Sequence, residues 1–191
     1  MARLSSRAIL VRMRFFLFIA ILSALASPAK ADQFDPALAQ LFVDLREGRG
    51  DASVLEAEIE SRWLMPPEEG TAILVERAVK AIDEDRLAVA ETLVAHITSI
   101  APSFAEGFVL EGRLALARND TGTALRAFRR AVSLEPRHYY ALERLGDLAL
   151  MLGDKPRAHE HYRDALDWHP RQPMLQQKTD RLRTEIYGRE I

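Results

Sequence analysis

The sequence predicts an all-α fold, a solenoid of tandem helix-turn-helix hairpins closed by a C-terminal capping helix, and three observations carry that prediction. Pro102, Pro136 and Pro170 stand 34 residues apart. The chain between them repeats in step: Ala124, Phe128 and Ala131 fall on Ala158, Tyr162 and Ala165, while Gly112 falls on Gly146, Phe108 on Leu142 and Ala115 on Ala149. The polar break Asn119-Asp120 likewise falls on Gly153-Asp154. Small residues in this register let paired helices approach closely, and Phe128 and Tyr162 fill the space between one hairpin and the next. Each proline lacks an amide hydrogen and disfavours helix in the residue before it, so each second helix ends there. One hairpin cannot bury its apolar face alone, so the unit is stable only in an array.

At the start of the chain, Arg3, Arg7, Arg12 and Arg14 lead into an apolar run of twelve residues, 15–26, and Ala29-Lys30-Ala31 supplies small residues where a signal peptidase reads. Residues 1–31 are expected to be a secretory signal peptide cleaved after Ala31. Twelve apolar residues fall short of the ~20 that cross a bilayer as a helix, and a retained anchor is the competing reading. The 191-residue chain has no cysteine, which closes lipidation at a cysteine, disulfides and thiolate metal sites.

Residues 32–70 read as an N-terminal hairpin, a degenerate repeat or cap. Asp35 serves as N-cap, Pro36 opens the first turn, Leu38, Leu41, Phe42 and Leu45 make one face, and Gly48 and Gly50 stop the helix. Ser53 and Glu56 offer a capping box for a second helix with Leu55, Ile59 and Trp63 on one face, ended by Pro66-Pro67. Trp63 is read as an inter-hairpin packing residue in preference to a ligand platform.

Residues 71–104 are a divergent copy of the repeat. They keep Leu74, Ala78, Ala81, Ala90 and Pro102 in register, but Val94 replaces the aromatic, Ile97 the small residue and Arg77 a leucine. Residues 105–138 and 139–172 are the strong copies. In residues 173–191, Leu175, Lys178, Leu182 and Ile186 keep helical spacing among many charges, as a capping helix with a polar back requires.

A 34-residue period with glycine in the first half, Ala-x-x-x-aromatic in the second and proline at the close resembles the tetratricopeptide repeat, whose hairpins coil into a right-handed α-solenoid. Glu111 stands in a slot usually apolar, a departure from that pattern. Ile59, Trp63, the run 103–107 and the run 135–142 further resemble a group of exported tetratricopeptide-repeat proteins of alphaproteobacteria. That likeness implies the periplasm of a Gram-negative bacterium and implies no biochemical activity.

Chemistry is sparse. The five basic residues before Asp32 leave 21 of 26 against 28 acidic ones, a net charge near −7, which argues against nucleic-acid binding and against docking on anionic lipid. Of the five histidines, His159 and His161 are two apart and diverge on a helix, and Glu135-Pro136-Arg137-His138 lies in an expected inter-repeat turn, so no metal or other cofactor is expected. No glycine-rich phosphate loop, Gly-x-Ser-x-Gly elbow or His-Glu-x-x-His occurs, and Asp83-Glu84-Asp85 reads as a solvated helix end. The expectation is a chain that is not an enzyme.

In tetratricopeptide-repeat proteins that bind peptides, the first helix of each pair lines a concave groove. The resemblance therefore implies a partner-binding groove of Val75, Val79 and Asp83, then Glu106, Val109 and Arg113, then Tyr140, Glu143 and Asp147. Tyr140 would lie against a ligand chain and the valines would take apolar side chains. Glu143 and Asp147 would accept from Lys or Arg, and Arg113 would pair a carboxylate. The alternative, that these are ordinary solvated or half-packed positions, stays open. The partner expected is a protein or peptide segment. The functional alternatives are an accessory subunit of a cell-envelope enzyme acting through its outer face or by self-association, and a small-molecule or glycan-binding protein.

Overall fold

The turn inside each hairpin is built the same way three times. Asp85, Asn119 and Gly153 take positive φ values of 57°, 59° and 79°, and they stand 34 residues apart. The amide of the next residue then reaches back to the carbonyl five residues earlier: Arg86 to Ala81 at 2.8 Å, Asp120 to Ala115 at 2.8 Å and Asp154 to Ala149 at 2.9 Å. This left-handed stop satisfies the otherwise orphaned carbonyls of the first helix and reverses the chain. In the two strong copies the reversal hands over to an N-cap, the Asp120 carboxylate accepting from the Thr123 amide at 2.9 Å and Asp154 from the Arg157 amide at 3.1 Å. Arg86 occupies the equivalent position in the divergent copy and makes no such bond.

The computed structural model describes residues 36–68 and 70–188, and among them the helices run α1 Pro36–Glu47, α2 Ala52–Trp63, α3 Thr71–Asp83, α4 Leu87–Ile100, α5 Ala105–Ala117, α6 Thr121–Leu134, α7 Tyr139–Met151, α8 Lys155–Trp168 and α9 Pro173–Tyr187. No strand occurs among the described residues. The architecture is an all-α helical-repeat solenoid. The expected signal peptide and the Asp35 N-cap lie outside the described residues. None of the described helices is long and apolar enough to cross a membrane.

The small and large slots fit as complementary pairs. A Cβ placed on Gly112 would stand 2.7 Å from Cζ of Phe128, and one on Gly146 would run into the Tyr162 ring more closely still. Glycine is therefore required wherever the facing slot is aromatic. In the divergent copy the facing residue is Val94, and the small slot holds Ala78; both are buried in the α3–α4–α5 core. A second core joins α5, α6 and α7 around Phe128, Ala131 and Leu145.

The third core breaks the sequential order. Leu38, Leu41, Phe42, Leu45, Ile59 and Trp63 from α1 and α2 bury against Tyr139, Leu142 and Tyr162 of α7 and α8, with Leu175 and Leu182 of α9 completing the cluster. The N-terminal hairpin thus packs on the last repeat rather than simply extending the stack from α3. Its second helix also starts differently from expectation. The N-cap is Asp51, whose carboxylate accepts from the amide and hydroxyl of Ser53 at 2.8 and 2.7 Å. The expected Ser53–Glu56 capping box does not form, because Asp51 claims the first turn and Glu56 turns to His169 instead.

The candidate concave groove

Three successive first helices contribute to one cleft. Val79 from α3, Glu106, Val109 and Arg113 from α5, and Tyr140 from α7 line a cavity of about 300 Å³, together with His138 before α7 and Glu60, Trp63 and Leu64 from the end of α2. The 34-residue register explains the convergence, since Val79 and Arg113 are equivalent positions, as are Glu106 and Tyr140. Equivalent positions on stacked hairpins face the same way. The walls are apolar where Val79, Val109, Trp63 and Leu64 meet, and Tyr140 adds a ring held edge-on by Phe128 at 6.4 Å and covered by the Arg144 guanidinium at 5.2 Å.

Of the nine residues expected in the groove, these five are brought together and four are not. Val75 is only 2 % exposed and belongs to the core between α3, α4 and α5. Its slot is the seam between neighbouring first helices, one turn away from the open face. Asp83 is exposed and bonds Arg113 at 2.7 Å, so the guanidinium expected to be left for a partner's carboxylate already has one. Glu143 and Asp147 also have their cations: Lys178 of α9 donates to Glu143 at 2.8 Å and to Asp147 at 3.1 Å, and Arg144 lies 3.1 and 3.0 Å from the same two carboxylates. Asp147 further accepts from the Tyr162 hydroxyl at 2.6 Å, and this acceptor, with burial acting first, pushes the phenol pKa up. The acidic end of the groove is therefore neutralised from within the chain.

Sequence reasoning missed the α2 side of the cleft and His138. The His138 ring stacks on Trp63 with centroids 3.9 Å apart and planes 11° from parallel. It also caps α7, its Nδ1 accepting from the Ala141 amide at 3.4 Å, so Nε2 carries the proton and donates to Glu106 at 3.0 Å. Glu60 sits on the rim. Partial burial, then the nearby Glu56 and Glu106 charges, raise its carboxyl pKa above the ordinary value. Next to it Glu56 meets Nε2 of His169 at 2.5 Å, while burial holds His169 below the usual imidazole pKa. The one sequence signal for this cluster was the run 135–142, quoted as a likeness but given no role.

The hairpin's seat combines much apolar area with imperfect polar pairing. Phe42 packs against Trp63, Tyr139 and Trp168, Arg137 lies over its ring at 4.9 Å, and Arg46 lies over Trp168 at 5.3 Å. Buried Nε1 of Trp63, the Tyr139 hydroxyl and Nδ1 of His169 find no hydrogen-bond partner among the described residues. A buried polar group left without a partner costs about 1–3 kcal/mol, which offsets part of the apolar gain.

Nothing in the cleft pairs a nucleophile with a base, and among the described residues no three His, Asp or Glu side chains are grouped to hold a metal ion. What the geometry offers is shape, an aromatic stack and a few fixed charges, the components of recognition.

Residues 109–173 match the tetratricopeptide repeat family, a span covering α5 from its second turn to the start of α9. The chain is also similar to the protein bimA of Emericella nidulans, 33 % identical over 78 residues, which are 41 % of this chain. That alignment spans about a tenth of the relative's length, 10 %.

Proposed function

We propose that this protein is a non-catalytic scaffold that holds a segment of a protein partner in its concave groove, and that it works in the periplasm after a signal peptide is removed at Ala31. The observation that carries the reading is the convergence of Val79, Val109, Arg113 and Tyr140 from three first helices on one apolar-walled cleft. Such a cleft takes an apolar side chain and leaves the rim charges to set orientation. The match to a repeat family over residues 109–173 supports it. The export half of the proposal rests on the arginine-rich start, the short apolar run and the absence of cysteine.

The test is crosslinking in intact cells with a photo-reactive residue at Tyr140 and, as control, at exposed Arg163 on α8. Capture of one protein from Tyr140 and not from Arg163 is expected. Capture from Arg163 alone would move the interface to the outer face. Fractionation with N-terminal sequencing checks the location, the expected product being periplasmic and beginning at Asp32.

A second reading, an accessory subunit acting through its outer face, has one observation in its favour. Leu150, Met151 and Leu152 are consecutive and exposed at the turn after α7, where an apolar run has no local use.

A further inference from the structure

The α1–α2 hairpin supplies Glu60, Trp63 and Leu64 to the same cleft that Val79, Val109, Arg113 and Tyr140 line. It is held there by an unusual mixture. Its apolar anchors, Phe42, Ile59 and Trp63, are buried. Its polar contacts are a histidine stacked under Trp63 and a second histidine facing Glu56. Three polar atoms of that interface have no partner among the described residues. The receiving face carries His138, His169 and Arg171, whose guanidinium reaches the Leu45 carbonyl at 3.5 Å, and the docking helix carries Glu56 and Glu60. Charge and shape are thus matched, but the fit is less complete than in the repeat cores, where glycine and aromatic slots interlock.

We propose that the α1–α2 hairpin is a displaceable occupant of the concave face, and that the partner taking its place is an amphipathic helix of the same chemistry. That helix presents a carboxylate, a branched aliphatic residue and an aromatic ring at i, i+3 and i+7, as Glu56, Ile59 and Trp63 do on α2. This rests on the groove reading above and narrows it from a protein segment to a helical one, laid in a groove by its apolar face. The carboxylate faces His169, and the ring stacks on His138 while Glu106 holds that imidazole in place. A tethered occupant competes at an effective concentration near the millimolar range, so a free helix binds measurably only when the resident one is released or is outcompeted.

The probe is a fluorescent peptide of residues 51–65, titrated into the unmodified chain and into a Phe42→Ala/Trp63→Ala chain whose hairpin has lost both anchors. Binding to the released chain at least about tenfold tighter than to the unmodified one is expected. A peptide carrying Glu56→Lys and Trp63→Ala should lose that binding. Native-state hydrogen exchange on the unmodified chain is the second arm, with α1–α2 amides expected to exchange through an opening that leaves α5–α8 protected. Equal affinity for both chains would mean that the hairpin occludes nothing and would overturn the proposal. So would an absence of binding to a released chain whose α5–α8 amides remain protected, or exchange of α1–α2 only together with α5–α8. Loss of α5–α8 protection in the released chain would make the hairpin an integral part of the fold and overturn it as well. None of these outcomes touches the groove reading itself, which stands or falls on capture from Tyr140.

Discussion

Replacing Gly112 by alanine sets two effects against each other, and the structure decides which wins. On helix propensity alone the change stabilises by about 1 kcal/mol, since glycine in a helix interior loses the most backbone freedom. The new methyl, however, stands 2.7 to 2.8 Å from three carbons of the Phe128 ring, and that ring is fully buried. Carbon pairs settle at about 3.5–4.0 Å, so the ring or the helix must yield by most of an ångström in a close-packed core. Overpacking of this kind costs about 1–3 kcal/mol, which leaves Gly112→Ala destabilising by roughly 1–2 kcal/mol net. For a chain of this size that is a fall in Tm of about 2–8 °C. The same substitution in a Phe128→Val background should be harmless, because that pair reproduces the Ala78 and Val94 of the divergent copy. Phe128→Val alone loses buried area and leaves a cavity, a cost of about 2–4 kcal/mol. The double variant should therefore be more stable than the sum of the singles by at least about 1 kcal/mol. Thermal melts of the four chains, followed by far-UV circular dichroism, close the cycle. A neutral or stabilising Gly112→Ala, or strict additivity in the double variant, would refute the slot-pairing argument.

Other outcomes follow from single contacts. Asp120→Ala and Asp154→Ala should each destabilise by about 1 kcal/mol through loss of an N-cap, and Arg86→Asp should stabilise by about 0.5–1 kcal/mol by giving α4 the cap it lacks; urea titrations read both signs. Lys178→Met removes a partly exposed cation shared by Glu143 and Asp147, costing at most about 1 kcal/mol overall, yet hydrogen exchange in α9 should speed up while α5 and α6 stay unchanged. Burial holds His159, His161 and His169 below the ordinary imidazole pKa. The unfolded chain therefore binds protons first as pH falls, and the stability these rings lend is full above about pH 6.5 and lost below it. Melting at pH 7.5 and at pH 6 should give the lower Tm at pH 6, and the reverse order would contradict the buried neutral state of these rings.

The repeat was legible because its determinants are local and recur. Gly112 with Phe128, and Gly146 with Tyr162, lie 16 residues apart and encode one hairpin each. The left-handed residues Asp85, Asn119 and Gly153 punctuate the chain at the same interval. Five groove residues were legible for a related reason, since register alone carries Val79, Glu106, Val109, Arg113 and Tyr140 to one side. The rest was hidden by distance along the chain. Lys178 reaches Glu143 across 35 residues and Glu56 reaches His169 across 113, and no spacing rule links such pairs. Val75 was misplaced because an apolar residue on a first helix suits the open face and the seam between hairpins equally, and only the position of the next helix separates them. The Ser53–Glu56 pair satisfied a capping pattern that Asp51, two residues ahead of Ser53, satisfies better.

The docking of α1–α2 on the last repeat also sets an order in time. A stack in which each hairpin touches only its neighbours can fold as it emerges, from one end to the other. Here the pair of helices made earliest has no seat until α7, α8 and the 169–172 turn exist, more than a hundred residues after Glu56. While the chain is still being made, or still being threaded N-terminus first through a translocon, Phe42 and Trp63 stay uncovered. They become buried only when the far end arrives, so closure of the hairpin reports that the whole array is complete.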